Sequence, residues 1–149
     1  MRPRLRILSS ALSLVGMGVS AYLLLYKWKL STSLVCTFGD CEVVNTSPYS
    51  EIAGVPVALL GVGGYATLLA LNLWDLATRG RWTILSNTAI FLLSLAGLLF
   101  SAYLTYIELF VLRAICQWCV VSALTILTIF LVAAWEMVVS RQAVPRVAH

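Results

Sequence analysis

The sequence predicts an all-α protein, a polytopic four-transmembrane-helix bundle with a short interfacial helix in its first outer loop. Three observations carry that reading. Of 149 residues, 61% are hydrophobic and only 11% charged, with a mean hydropathy of +0.96, which a soluble domain of this length does not reach. Four stretches hold no Asp, Glu, Lys or Arg: Ile7 to Tyr26, Val55 to Trp74, Leu85 to Ile107 and Ala114 to Trp135. Each can cross a hydrocarbon core of about 30 Å as a helix, which takes about 20 residues. The third observation is charge asymmetry. Arg2, Arg4, Arg6, Arg79, Arg81, Arg141 and Arg146 fall on one side of a four-span topology, and only Lys27, Lys29 and Arg113 on the other. This bias predicts both termini in the cytoplasm of a multi-pass cell-membrane protein. The net charge of +4 is therefore read as a topology signal and not as a nucleic-acid footprint. Spans are expected at about 7–26, 55–77, 84–108 and 114–138, with an outer catalytic loop over 27–54, in one membrane domain covering 1–149.

The first span follows a basic start, as a signal peptide would. Tyr26-Lys27-Trp28-Lys29 stands where a small-residue cleavage site would be needed, so an uncleaved span is expected. Gly16, Gly18, Ser20 and Ala21 let helix backbones approach closely, and Tyr22, Tyr26 and Trp28 form an interfacial belt. In the loop, Cys36-Thr37-Phe38-Gly39-Asp40-Cys41 sets two cysteines four residues apart, with Gly39 able to take positive φ. Such a pair closes a structural staple or takes part in exchange; the spacing fits either. Ser47 and Pro48 read as N-cap and N1 of a short helix at the membrane surface. Asn45-Thr46-Ser47 matches the glycosylation pattern, a frequent chance match.

Pro56 fits the first turn of the second span, with Gly54 as the hinge before it. Gly61-Val62-Gly63-Gly64 resembles a phosphate loop but lies inside an apolar run with no strand before it, so it is read as close helix packing. Asp75 and Arg79 end the span and Gly80 makes the turn. The third span then repeats the first. Ser13-Leu14-Val15-Gly16 and Ser20-Ala21-Tyr22-Leu23 are matched without gaps by Ser94-Leu95-Ala96-Gly97 and Ser101-Ala102-Tyr103-Leu104. Each copy is followed by a cysteine pair, which reads as two tandem units of helix, outward cysteine pair and helix.

The last span opens with Cys116-Gln117-Trp118-Cys119. In the first turn of a helix both thiols share one face, and the unpaired N–H groups and positive dipole end favour a thiolate. That is the environment of a redox-active pair, and outward-facing loops put it in an oxidising compartment. Four cysteines also raise a zinc site, but no histidine lies nearby and His149 falls on the opposite side, so no metal is expected. A scaffold or transporter with stapled loops is the non-enzymatic alternative. It lacks an intramembrane charge, since Asp75, Glu108 and Glu136 read as helix-end residues.

Cys36 and Cys41, the stretch Asn45 to Gly61, and Cys116-Gln117-Trp118-Cys119 together make the chain resemble small prokaryotic members of the vitamin K epoxide reductase family. The resemblance implies a four-helix bundle around a quinone of the ubiquinone or menaquinone type. It implies that Cys36 meets a thioredoxin-like (DsbA-type) dithiol partner, that Cys41 forms a transient disulfide with Cys116, and that Cys119 lies against the quinone. Ser47 would be the family's serine that hydrogen-bonds near the quinone. The implied activity is a quinone-linked thiol-disulfide oxidoreductase that makes disulfides for protein folding. Some bacterial members carry a fused thioredoxin-like domain, absent here, so the partner is expected to be separate. Where vertebrate members place the Asn and Tyr that bind the vitamin K head group, Val57 and Ala123 stand, so plain quinone reduction is expected rather than epoxide reduction. In the unrelated thiol oxidases with the same helix count, the C-x-x-C lies in the first outer loop; here the tight pair comes second.

Overall fold

The computed structural model describes residues 2–30, 32–78 and 82–143. Arg79, Gly80 and Arg81, read as the turn between two spans, lie outside the described residues, as do Arg146 and His149. Four long helices, α1 (Arg2–Lys27), α3 (Val57–Ala77), α4 (Thr83–Tyr106) and α5 (Gln117–Ala143), form a ring in which α1 packs on α3 and α5, and α4 on the same two. The stretches Pro3–Lys27, Val57–Ala77, Thr83–Leu112 and Gln117–Ser140 are long and apolar enough to cross a membrane.

Lipid is as apolar as leucine, so small residues and polar contacts decide which helix faces meet. A Cβ on Gly16 would overlap the Tyr65 ring of α3, and one on Gly97 would come within 3.1 Å of Ile126 on α5. These glycines occupy equivalent positions of the repeat, and each receives the next helix of its own unit. Ser13 and Ser94, also equivalent, are both fully buried. Gly61 packs on Ser20. Gly18, Gly63 and Gly64, expected to be packing positions, meet nothing within 4 Å; Gly64 instead borders the cavity described below. The core between these contacts is Tyr65, Leu68, Ile90, Ile126, Ile129 and Ala133.

At the end of the bundle that carries the N-terminus of α1, one of the basic residues has a structural partner set of its own. Arg6, read as a topology charge, is only 4% exposed. Its guanidinium pairs with Asp75 of α3 at 3.1 Å and Glu136 of α5 at 3.0 Å, and donates to Asn72 Oδ1 at 3.3 Å. The helix starts at Arg2 rather than near Ile7, which carries Arg6 inside the bundle at the depth of two carboxylates.

At the opposite end the chain after α1 folds back over the helices. It forms α2 (Cys41–Thr46), a single 3-10 turn (Pro48–Ser50) and a two-residue hairpin, β1 (Glu51–Ile52) with β2 (Val55–Pro56), paired Glu51 to Pro56 and Ile52 to Val55. Ala53 and Gly54, at φ +51° and +80°, make its turn, the conformation that primed hairpin turns require. Pro56 closes the hairpin and immediately precedes α3. The helix expected after Ser47 is thus only the 3-10 turn, with Pro48 at its first position. The Ser47 hydroxyl does not cap it but donates back to Val44 O at 2.8 Å, because Ser47 also ends α2. Lys27 fastens the segment to α1, donating to Asn45 O at 3.2 Å and Ser50 Oγ at 2.6 Å and pairing with Glu51 at 3.2 Å.

The third span does not stop near Glu108. Beyond Tyr106 the helix widens into a π turn over Ile107–Leu112, ended by Arg113 in the left-handed conformation at φ +50°. Ala114 N–H then reaches Glu108 O at 3.0 Å. Residues 113–116 are spent on this reversal, so the last helix begins at Gln117 and not at Ala114.

Candidate active site

All four cysteines meet at this second end, in one apolar cluster with Val19 and Leu23. Cys36 and Cys41 form a disulfide, while Cys116 and Cys119 are free. Cys41, the first residue of α2, is 1% exposed and Cys116 is fully buried. The loop reaches them through its backbone: Gly39 pairs antiparallel with Cys116, and Asp40 N–H donates to Ile115 O at 2.9 Å. Gly39 takes φ +88°, and a Cβ there would collide with Ile115 O. A glycine is therefore required where the disulfide loop crosses the inner pair.

Cys116 stands one residue before α5 and serves as its N-cap. Its carbonyl accepts Val120 N–H at 3.0 Å. The Cys119 thiol, helped by the backbone N–H groups of Cys119 and Trp118 at the helix start, holds the Cys116 thiol below the usual thiol range against the opposing effect of burial. The capping N–H groups expected to favour a thiolate thus act on Cys116. Its own N–H is taken by Glu108 Oε2 at 3.2 Å.

The two residues between the inner cysteines hold the outer loop. Gln117 Oε1 accepts Thr37 N–H at 3.1 Å and Phe38 N–H at 3.4 Å, and its Nε2 donates to Val35 O at 3.4 Å. Trp118 Nε1 donates to the same carbonyl at 2.9 Å and stacks edge-on against Tyr22, whose hydroxyl accepts Val35 N–H at 3.0 Å. Tyr22, read only as part of an interfacial belt, is thus a third support. Gln117→Ala removes three of these bonds, each worth about 1 kcal/mol. Hydrogen exchange of the peptide holding Thr37 and Phe38 is expected to speed up at least about tenfold. Unchanged exchange would show that Gln117 does not hold the loop.

Behind the inner cysteines lies a cavity of about 330 Å³ between α1, α3, α4, α5 and the folded-back loop. Its walls are largely apolar, with Leu60, Leu68, Leu93, Phe100 and Ile126 among them. Among the polar residues of the lining are Asn45, Ser47, Tyr49, Glu108 and Ser122. Tyr65 crosses the bundle to donate to Ser122 O at 2.8 Å. A largely apolar slot of this size with a few polar groups suits a flat aromatic ligand bearing ring oxygens, and Cys116 and Cys119 both border it. Ser47 lines it too, 8% exposed, and so does Val57. Asn45 is buried and donates to Leu23 O at 3.2 Å, which removes it as a glycosylation acceptor. Among the described residues no group of three metal-ligating side chains occurs.

A model described as the vitamin K epoxide reductase family matches residues 7–134. The match takes in every cysteine, the folded-back loop and most of each spanning helix. The chain therefore belongs to the vitamin K epoxide reductase family, and is with it a multi-pass membrane oxidoreductase.

Proposed function

We propose that the protein passes electrons from a thioredoxin-like dithiol protein through Cys36/Cys41 to Cys116/Cys119 and on to a membrane quinone, generating disulfides for protein folding. The observation that carries this reading is the burial of Cys41 and Cys116 in one cluster, with the loop backbone paired to Cys116. A staple alone needs no such approach. The arginine bias supports an orientation with both termini in the cytoplasm and the cysteines outside, in the plasma membrane.

In this reading a partner thiolate attacks Cys36, the more accessible sulfur of the outer disulfide, and Cys41 leaves as thiolate. Once the partner's second thiol has freed Cys36, Cys41 attacks Cys116 in the oxidised inner pair, and Cys119 leaves as thiolate and takes up one of the two protons released by the partner dithiol. Cys36 then attacks Cys41, which re-forms the outer disulfide and frees Cys116. The resulting state, outer pair oxidised and inner pair reduced, is the redox state of the structure. A quinone, ubiquinone or menaquinone in type, supplies an acceptor for two electrons and two protons. Cys116 and Cys119 would face it, and Ser47, whose hydroxyl hydrogen is directed to Val44 O, would orient it through its remaining lone pairs.

The test uses purified full-length protein, a thioredoxin-like dithiol protein and a short-chain quinone. Quinol is expected to form well above the uncatalysed rate, and Ser47→Ala to slow it while the fold is kept. Quinol formation no faster than without the protein would sink the relay. Equal rates for Ser47→Ala and the parent would leave Ser47 a loop residue only.

A further inference from the structure

Oxidising two thiols inside a membrane slot releases protons where water is scarce, so the slot needs a group that takes a proton from sulfur and hands it on. Among the described residues lining the cavity there is one carboxyl, Glu108, and no Asp, Lys, Arg or His. The other titratable groups are Cys116 and Cys119 at the start of α5, Tyr49 from the loop and Tyr65 from α3. Tyr65 is committed to Ser122, and Cys41 on α2 is held in the disulfide. Glu42 of α2 is exposed.

Glu108 is 6% exposed, although nothing pairs it with a cation among the described residues. One carboxylate oxygen, Oε2, accepts Cys116 N–H at 3.2 Å, and the carboxyl borders the same cavity as the Cys119 thiol. The π turn is what aims it there. Widening the helix over Ile107–Leu112 lets both Ile107 and Glu108 face inward, where they are buried while Leu109 to Val111 remain exposed. A carboxyl held on one side by a backbone N–H and open on the other to a thiol has the geometry of a general base.

We propose that Glu108 is the catalytic proton carrier of the inner pair. This rests on the quinone-linked reading above and adds a role that the cysteines do not fill. The carboxylate accepts the Cys119 proton as that sulfur becomes a nucleophile. After the S–S bond to Cys116 has formed and the two electrons have left for the quinone, Glu108 releases that proton to one oxygen of the reduced acceptor and is again a carboxylate. The second proton, lost to the outer water when Cys116 became a thiolate, is replaced from the same water at the other oxygen. Two thiols thus yield one disulfide, and two electrons and two protons go to the acceptor.

The test compares Glu108→Gln and Glu108→Leu with the parent, in full-length protein with the inner pair reduced. Glutamine keeps an oxygen for Cys116 N–H and loses the proton site; leucine loses both. Two readouts are taken across pH: the rate of Cys119 alkylation by N-ethylmaleimide without any quinone, resolved from Cys116 by mass spectrometry, and single-turnover oxidation by a short-chain quinone. Glu108→Gln is expected to slow oxidation on the order of 10²- to 10⁴-fold. Alkylation of Cys119 should slow in the same variant and recover as rising pH lets hydroxide replace the base. Parent-like alkylation and oxidation in Glu108→Gln, with loss only in Glu108→Leu, would reduce Glu108 to a positioning residue and overturn the proposal. A parent that alkylates normally but is never oxidised by quinone would sink the quinone-linked reading instead. That second failure is distinct from the first.

Discussion

Cys119→Ser is expected to stop quinone reduction and to trap a disulfide between Cys41 and Cys116. The loss should be on the order of 10³-fold or more, the scale at which removal of a nucleophile is felt. The trapping follows from position. With Cys119 gone, the Cys116 sulfur has no neighbouring thiol to close on, and the nearest electrophile is the Cys36–Cys41 disulfide in the same buried cluster. Attack on Cys41 forms the new bond and expels Cys36 as thiolate, toward the more exposed side. Capping Cys36 with N-ethylmaleimide as it leaves makes the step irreversible. Non-reducing digestion and mass spectrometry should then find one peptide pair joining Cys41 to Cys116. If the outer pair is only a staple, no such peptide forms, because Cys36 and Cys41 never exchange.

How legible this site is in the sequence depends on what each residue needs from the fold. The cysteines announce themselves by spacing, and the spans by absence of charge, because both properties lie along the chain. The repeat puts both cysteine pairs on one face and the family resemblance names Cys41 and Cys116, but their meeting is made by backbone contacts at Gly39 and Asp40 that no composition records. Glu108 was read as the mark of a helix end. In a regular helix that is a fair reading, and only the π turn directs its carboxyl inward. A trace was present, a lone carboxylate eight residues before Cys116 in a stretch otherwise free of charge until Arg113. Gln117 and Trp118, to which the sequence assigns no role, reach another loop with their side chains, which local periodicity cannot reveal. The hairpin over Glu51–Pro56 was missed because its turn uses Ala53 at positive φ, a residue that carries no turn signal.

Arg6 makes the opposite lesson testable, and Arg6→Met is expected to destabilise the bundle by about 3–5 kcal/mol. Arg6 ties α1 to α3 and α5 by bonds from three guanidinium nitrogens, to Asp75, Glu136 and Asn72, and both carboxylates are nearly as buried as it is. Methionine fills similar space but takes the cation away from the buried Asp75 carboxylate, so the cost comes from a lost charge pair and not from a void. Arg6→Lys should recover only part of the loss, since one ammonium cannot reproduce a fork reaching two carboxylates. Because the pairs are buried, added salt should change the parent's unfolding midpoint little. The measurement is thermal or denaturant unfolding in detergent, followed by the helical signal. Replacing Arg6 and its first carboxylate partner together, Arg6→Met with Asp75→Leu, removes both members of the pair and should cost less than Arg6→Met alone. A double variant no more stable than the single one would show that packing around Arg6, and not its charge, holds this end of the bundle.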